Sequence, residues 1–148
     1  MFSFLIWNIR GVAGRASCRR LFSLVHAHNI SFLVLLEPMI DASQLQSLIQ
    51  KFKFKLGLCN LTNKIWILWR EGVAVDVQVS SDQLLHLAIT HETWTRVVFG
   101  TFVYAKCTTV ERRPLWQDLI SISRRVGGEP WLVGGDFNAI VSLDEYLG

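Results

Sequence analysis

The chain has 148 residues, enough for one domain with a sizeable core, and 51% of them are hydrophobic, including six Trp and nine Phe. Its most apolar run, "ISFLVLLEPMI" (Ile30–Ile40), is too short to span a bilayer and contains Glu37, and Cys18, Cys59 and Cys107 are too few and too widely spaced for a disulfide framework or a Cys-based zinc site. The net charge of +3 permits a nucleic-acid partner without demanding one, and an opening "MFSFLIWN" with no basic n-region or cleavage site leads us to expect no signal peptide, no membrane partner and an intracellular location.

In chain order, "FSFLIWN" (Phe2–Asn8) reads as a strand closed by the Gly-rich turn "RGVAGR". A helix is predicted from Ser17 as N-cap, with Leu21, Leu24, Val25 and His28 on one face and Asn29 suited to its end. His28 on that stripe reads as a partly buried helix-end residue rather than a ligand. "ISFLVLLE" is a near-continuous apolar run, as expected of a central strand. Asp41 can cap a second helix, "ASQLQSLIQKF", whose Leu45, Leu48, Ile49 and Phe52 follow i, i+3, i+4, i+7 spacing. "KFKFKL" then alternates, which turns Lys51, Lys53 and Lys55 toward water. They suit either a protected edge strand or a phosphate track.

Four strands are predicted next: "KIWILWR" (Lys64–Arg70), "VAVDVQV" (Val73–Val79), "LLHLAIT" (Leu84–Thr90) and "WTRVVFGTFVYA" (Trp94–Ala105), with turns at "REG" and "SSDQ". His86 within a strand and His91 beside Glu92 lack partners at metal-ligand spacing and read as structural. "RRPLWQDLISISRRV" is a third helix with Pro114 in its first turn, with Leu115, Trp116, Leu119 and Ile120 expected inward, and Gly127–Gly128 ending it. The last recognisable strand is Trp131–Val133, followed by Gly134 and Gly135. No repeat, linker or low-complexity segment divides the chain. The pattern is α/β with adjacent strands, an α/β sandwich rather than a doubly wound sheet.

Several strands end on polar groups: Asn8, Glu37 immediately before Pro38, Tyr104, and the couple Asp136 and Asn138. In extended chain, residues i and i+2 share a face, so Asp136 and Asn138 would aim one way. A turn rich in Gly, Asp and Asn explains "GGDFN" equally well in isolation. If the strand ends converge, their oxygens suit a hard cation such as Mg²⁺, which takes one or two carboxylates and completes its shell with water and phosphate, and do not suit zinc.

"WNIRG", "LLEP", "VYA" followed by "RRPLW", and "GGDFN" occur in an order that resembles the endonuclease/exonuclease/phosphatase superfamily, in particular the apurinic-type endonuclease domain of plant non-LTR retrotransposons. The resemblance runs the length of the chain. It implies a four-layer α/β sandwich, two packed mixed sheets flanked by helices, and metal-dependent hydrolysis of a phosphoester. By matching motif, Glu37 would ligate Mg²⁺ (or Mn²⁺) and Asn8 would orient that carboxylate and the phosphate. Tyr104 would hydrogen-bond the phosphate, Asp136 would activate the attacking water, and Asn138 would steady the transition state. Arg10, Arg112 and Arg113 are the candidates for contact with DNA, and within an intracellular location the nucleus stays open.

The family also relies on a late Asp and a C-terminal Asp-His pair. No "DH" dipeptide occurs here, and His26, His28, His86 and His91 all precede "GGDFN". The expectation is therefore one partial domain over residues 1–148, about the N-terminal two-thirds, with an incomplete second sheet and an exposed strand edge. Three functions stay open: a DNA-nicking endonuclease, a catalytically inactive remnant that binds nucleic acid weakly, and a phosphatase of the same superfamily.

Overall fold

Two sheets form because two runs of strands bury opposite faces against each other. The computed structural model describes residues 1–140, so the closing "SLDEYLG" lies outside the described residues. The elements are β1 (Phe4–Asn8), α1 (Arg15–Ala27), β2 (Phe32–Leu36), a 3₁₀ turn (Ala42–Gln44), α2 (Leu45–Phe52), β3 (Leu56–Cys59), β4 (Ile65–Trp69), β5 (Val73–Ser80), β6 (Leu84–His91), β7 (Val98–Tyr104), α3 (Arg113–Val126) and β8 (Trp131–Asp136). The first sheet has the order β1-β2-β4-β3 and the second β5-β6-β7-β8. Both are mixed: β1–β2 and β7–β8 are parallel, and the other pairs are antiparallel.

The continuous apolar run of β2 has a simple cause. Leu33 and Leu35 face α1 and α2, while Phe32, Val34 and Leu36 face the second sheet. β4 divides the same way, with Trp66 and Leu68 toward the helices and Ile65, Ile67 and Trp69 toward Leu85, Leu87, Ile89 and Phe102. On the far side, Leu84 and Val103 pack against Leu115, Ile122 and Val126 of α3. The layers therefore run α1/α2, sheet, sheet, α3, the four-layer sandwich that the family resemblance implies. Each fully buried Leu, Ile or Phe contributes about 1.5–3 kcal/mol.

Local readings are corrected at several points. α1 begins at Arg15 with Gly14 as an uncapped N-cap, so Ser17 lies inside it. His28 is its C-cap, and is exposed rather than half-buried. Residues 94–97 are not strand: the backbone turns there, with Trp94 N donating to His91 O (2.9 Å) and the Trp94 ring packed 4.6 Å from Phe2. The inward stripe of α3 is Leu115, Ile122 and Val126, with Leu119 half-buried, while Trp116 and Ile120 are 38% and 52% exposed. The i, i+4, i+7, i+11 row governs that helix, which turns Trp116 out to stack on Phe137. "REG" does turn the chain, but it carries it from one sheet to the other, and β4 and β5 do not pair. Trp131–Val133 extends to Asp136 and is half-exposed, because β8 pairs only with β7 among the described residues.

Lys51, Lys53 and Lys55 are all exposed where α2 gives way to β3, an edge strand. Lys53 ends α2 in the left-handed conformation, and Lys55 pairs with Glu71 at 3.1 Å.

Candidate active site

The four strands that end on polar residues all end at one end of the sandwich. Asn8 of β1 is in register with Leu36 of β2, one residue before Glu37, and Tyr104 of β7 is in register with Asp136 of β8. Two glycines then bring the sheets together at this corner. A Cβ on Gly134 would stand 2.7 Å from Ile6 Cδ1 of β1, and one on Gly135 (φ +142°) would stand 2.1 Å from the Val103 carbonyl oxygen. Without side chains at these positions β8 lies against both neighbours, and Asn8 Nδ2 donates to Asp136 Oδ2 at 2.7 Å.

Asp136 is held from both sides. Its Oδ1 accepts the backbone N–H of Asn138 at 2.9 Å, so the couple two residues apart closes a turn at the end of β8. Asn138 Nδ2 in turn donates to the Ala105 carbonyl, and the Asp136 carbonyl accepts from Ala105 N at 2.8 Å. Arg112, the N-cap of α3, donates through one guanidinium nitrogen to the carbonyls of Lys106 (3.1 Å), Cys107 (2.7 Å) and Asn138 (2.7 Å). That makes it an anchor for the loops after β7 and β8. Arg10 and Arg113 are exposed, in the loop after β1 and at the first position of α3.

Glu37 is bound through its backbone: its N–H donates to Lys64 O at 2.8 Å and its carbonyl accepts from Gly11 N at 2.9 Å. The site loops are strained. Arg10, Glu37, Met39 and Asn138 have φ between +46° and +56°, a region costing non-glycine residues about 1 kcal/mol or more each. Burial pushes the Tyr104 phenol up to about 12, with the facing Glu37 carboxylate the next cause and the Asp136 charge a further one. The phenol therefore stays protonated, as a donor, at neutral pH.

One buried polar atom here has no hydrogen-bond partner: Asn8 Oδ1. Such groups are rare, because an unsatisfied one costs about 1–3 kcal/mol. Among the described residues no three His, Cys, Asp or Glu side chains form a metal cage. The oxygens left for a cation are the Glu37 carboxylate and the unpartnered side-chain oxygen of Asn8, since both Asp136 oxygens already accept hydrogen bonds, and such a set fits a hard cation that keeps most of its water.

Sequence reading overlooked two supports. Lys64 places its ammonium 6.0 Å from the Tyr104 ring centroid, on the rim of a cleft of about 150 Å³ bounded also by Thr62, Lys106 and Asn138. Gln83 is buried, accepting from Tyr104 N through its backbone carbonyl (2.9 Å) and from Lys106 N through Oε1 (2.8 Å). The only signal for either was a polar residue abutting an apolar run. None of the four histidines reaches this end. His26 and His28 are near the C-terminus of α1, and His91 closes β6 at the opposite end of the sheet from Tyr104. His86 is buried in mid-sheet against Thr101, and burial, with the Arg125 charge, pushes its pKa down.

A family model described as the endonuclease/exonuclease/phosphatase family matches residues 5–148. The chain belongs to that family. No curated protein sequence is significantly similar to it. Among solved structures, this family member resembles the endonuclease domain of TRAS1, a telomere-specific non-LTR retrotransposon (TM-score 0.70, 13% identity, 95% of this chain and 62% of that one). It also resembles the catalytic domain of human Nocturnin (0.62, 17%, 93% and 65%) and truncated TDP2 from Caenorhabditis elegans (0.64, 21%, 99% and 65%). The chain spans less than two-thirds of the length of each. At these identities the likeness is one of fold.

Proposed function

We propose that the convergent strand ends form a phosphodiester-hydrolysing site that takes DNA as substrate, as a nicking endonuclease of retrotransposon origin would. The observation that carries this reading is the unpartnered Asn8 Oδ1, buried beside Asp136 on the same sheet corner as Glu37. A divalent cation, Mg²⁺ or Mn²⁺, would be held by Glu37 with Asn8 Oδ1 as a further oxygen, and would supply Lewis-acid polarisation of a phosphate oxygen. The protein's own groups account for the rest. Tyr104, protonated, donates to a non-bridging phosphate oxygen, and Lys64 offsets charge beside it. Asp136, fixed by Asn8 and Asn138, accepts a proton from water aligned for attack. Preorganised donors of this kind act where charge develops in the transition state.

A second reading is favoured by the placement of the histidines. With none at this end, no imidazole assists proton transfer, and loss of a general acid–base group lowers rates by about 10² to 10⁴. The 148 residues would then bind Mg²⁺ and DNA with little turnover. The test is Mg²⁺ titration calorimetry alongside nicking of supercoiled plasmid, with wild type, Glu37→Gln and Glu37→Ala. Metal binding should disappear in Glu37→Gln, and nicking should be slight. Identical Mg²⁺ binding in wild type and Glu37→Gln would remove the metal site. Robust nicking abolished by Glu37→Ala would reject the low-turnover reading.

A further inference from the structure

The net positive charge of this protein comes from its N-terminal part. The first 55 residues hold seven of the 15 Lys and Arg but only two of the 12 Asp and Glu. Of those two acids, Glu37 lies in the candidate site and Asp41 is occupied in accepting Ser43 N at 2.9 Å. Arg15 and Arg19 of α1 and Lys51 of α2 are exposed and make no ion pair among the described residues.

These three cations line one groove. Its first part, about 410 Å³, runs between α1 and α2 over Val12, Ile40 and Leu48, with Arg15 and Lys51 on its walls. A second part, about 270 Å³, shares Arg15 and Lys51 with it and continues to Arg19 and Phe22. The near end belongs to the site's own loops: Val12 N donates to Pro38 O and Gly11 N to Glu37 O, both at 2.9 Å. At the far end Phe22 is 45% exposed, with the His26 ring stacked on it at 3.9 Å and fixed by a 2.9 Å hydrogen bond between Nδ1 and Phe22 O.

We propose that this groove carries a single-stranded stretch of nucleic acid leading toward the strand-end site. Arg15, Arg19 and Lys51 neutralise its phosphates, and the Phe22–His26 stack receives an unpaired base. The inference rests on the DNA reading above and adds a binding track outside the reacting groups. Arg15 and Phe22 are about 10 Å apart along the helix, which accommodates about three stacked nucleotides at roughly 3.4 Å each. A duplex has no free base to stack, whereas cations interleaved with an exposed aromatic pair are how single strands are held. Arg15 and Lys51 stand on the walls of the deeper part of the groove, which suits a chain laid along it better than a flat anionic membrane surface.

The experiment is fluorescence anisotropy of a labelled 15-nucleotide single strand and its blunt duplex between 50 and 200 mM salt. Wild type, Arg19→Ala/Lys51→Ala, Phe22→Ala and Glu37→Gln are compared, each first checked for native circular dichroism and urea midpoint. The double variant should weaken single-strand binding at least tenfold and flatten the log–log salt dependence by about 1.4, roughly 0.7 per lost phosphate contact. Phe22→Ala should weaken single-strand binding at least fivefold and leave the duplex nearly unchanged. Should Phe22→Ala not fold, Arg19→Glu replaces it, with an expected loss at least as large as that of the double variant.

Single-strand binding indifferent to Arg19 and Lys51, or abolished by Glu37→Gln alone, would overturn the groove. So would groove-dependent binding to phosphatidylserine vesicles without oligonucleotide binding. Groove-dependent DNA binding without Mg²⁺ binding or nicking would instead defeat the hydrolase reading and leave the groove standing.

Discussion

Asn8 and Asp136 stand 128 residues apart in sequence and 2.7 Å apart in space, the Asn8 carboxamide donating to the carboxylate from one sheet to the other. Neither β1 nor β8 pairs with the other through its backbone. The corner is therefore made by side chains, and it depends on a neutral donor facing an acid.

Asn8→Asp should convert that bond into a contact between two carboxylates that share a proton. One carboxyl pKa then rises in the folded state above its unfolded value of about 3.9. Stability held at low pH is lost as pH rises through the raised value. The melting temperature gap between variant and wild type should widen from pH 4 to pH 7, followed by calorimetry across that range. A gap independent of pH would mean that the two acids do not meet.

Gly134 and Gly135 should differ in tolerance. Alanine at 134 meets the movable end of Ile6, and should cost about 1–3 kcal/mol, partly recovered by Ile6→Val. Alanine at 135 meets the Val103 backbone at φ +142° and should cost more, because the β7–β8 pairing itself must yield. Urea denaturation of the three variants measures the order.

Arg112→Ala leaves the carbonyls of Lys106, Cys107 and Asn138 without their shared donor. A loss of about 1–2 kcal/mol is expected, given the partial exposure of the loop. Arg112→Lys should recover only part of it, since an ammonium lacks the planar fork of the guanidinium. A urea midpoint equal to wild type in Arg112→Ala would show that the loops hold themselves.

Tyr104 should titrate late. Tyr146→Phe leaves it the only tyrosine, so that absorbance at 295 nm reports it alone. Its folded value of about 12 exceeds the ordinary 10.0, so the folded state binds more protons between those values and stability falls as pH rises from 10 toward 12. Glu37→Gln should lower the value while leaving it above 10, because burial is the first cause and the carboxylate the second. No movement in Glu37→Gln would mean that the two groups are not neighbours.

Most strands and helices were legible in the sequence because their signals are local. The β2 and β4 runs announce two-sided burial and Gly127 stops α3, while Asp41 caps the 3₁₀ turn leading into α2 rather than α2 itself, whose N-cap is Gln44. Errors fell where neighbours from elsewhere decided the outcome. Trp116 reads as inward by hydrophobicity, and α3 instead presents Leu115, Ile122 and Val126 to the sheet. "WTRV" has strand composition, yet the Trp94 ring is taken up by Phe2 and His91. Arg112 reads as an exposed helix-start cation until three carbonyls from two loops converge on it.

By itself the sequence determined most element types, the α/β class and the inventory of Asn8, Glu37, Tyr104, Asp136 and Asn138, since periodicity and strand-end chemistry act within a few residues, while the two-sheet layering was implied only by the family resemblance. Only the tertiary structure decided that these groups share one corner, that the paired glycines allow it, and that a cationic groove opens beside it. Those relations join residues far apart in the chain, and they exist only once both sheets have packed and brought the strand ends together.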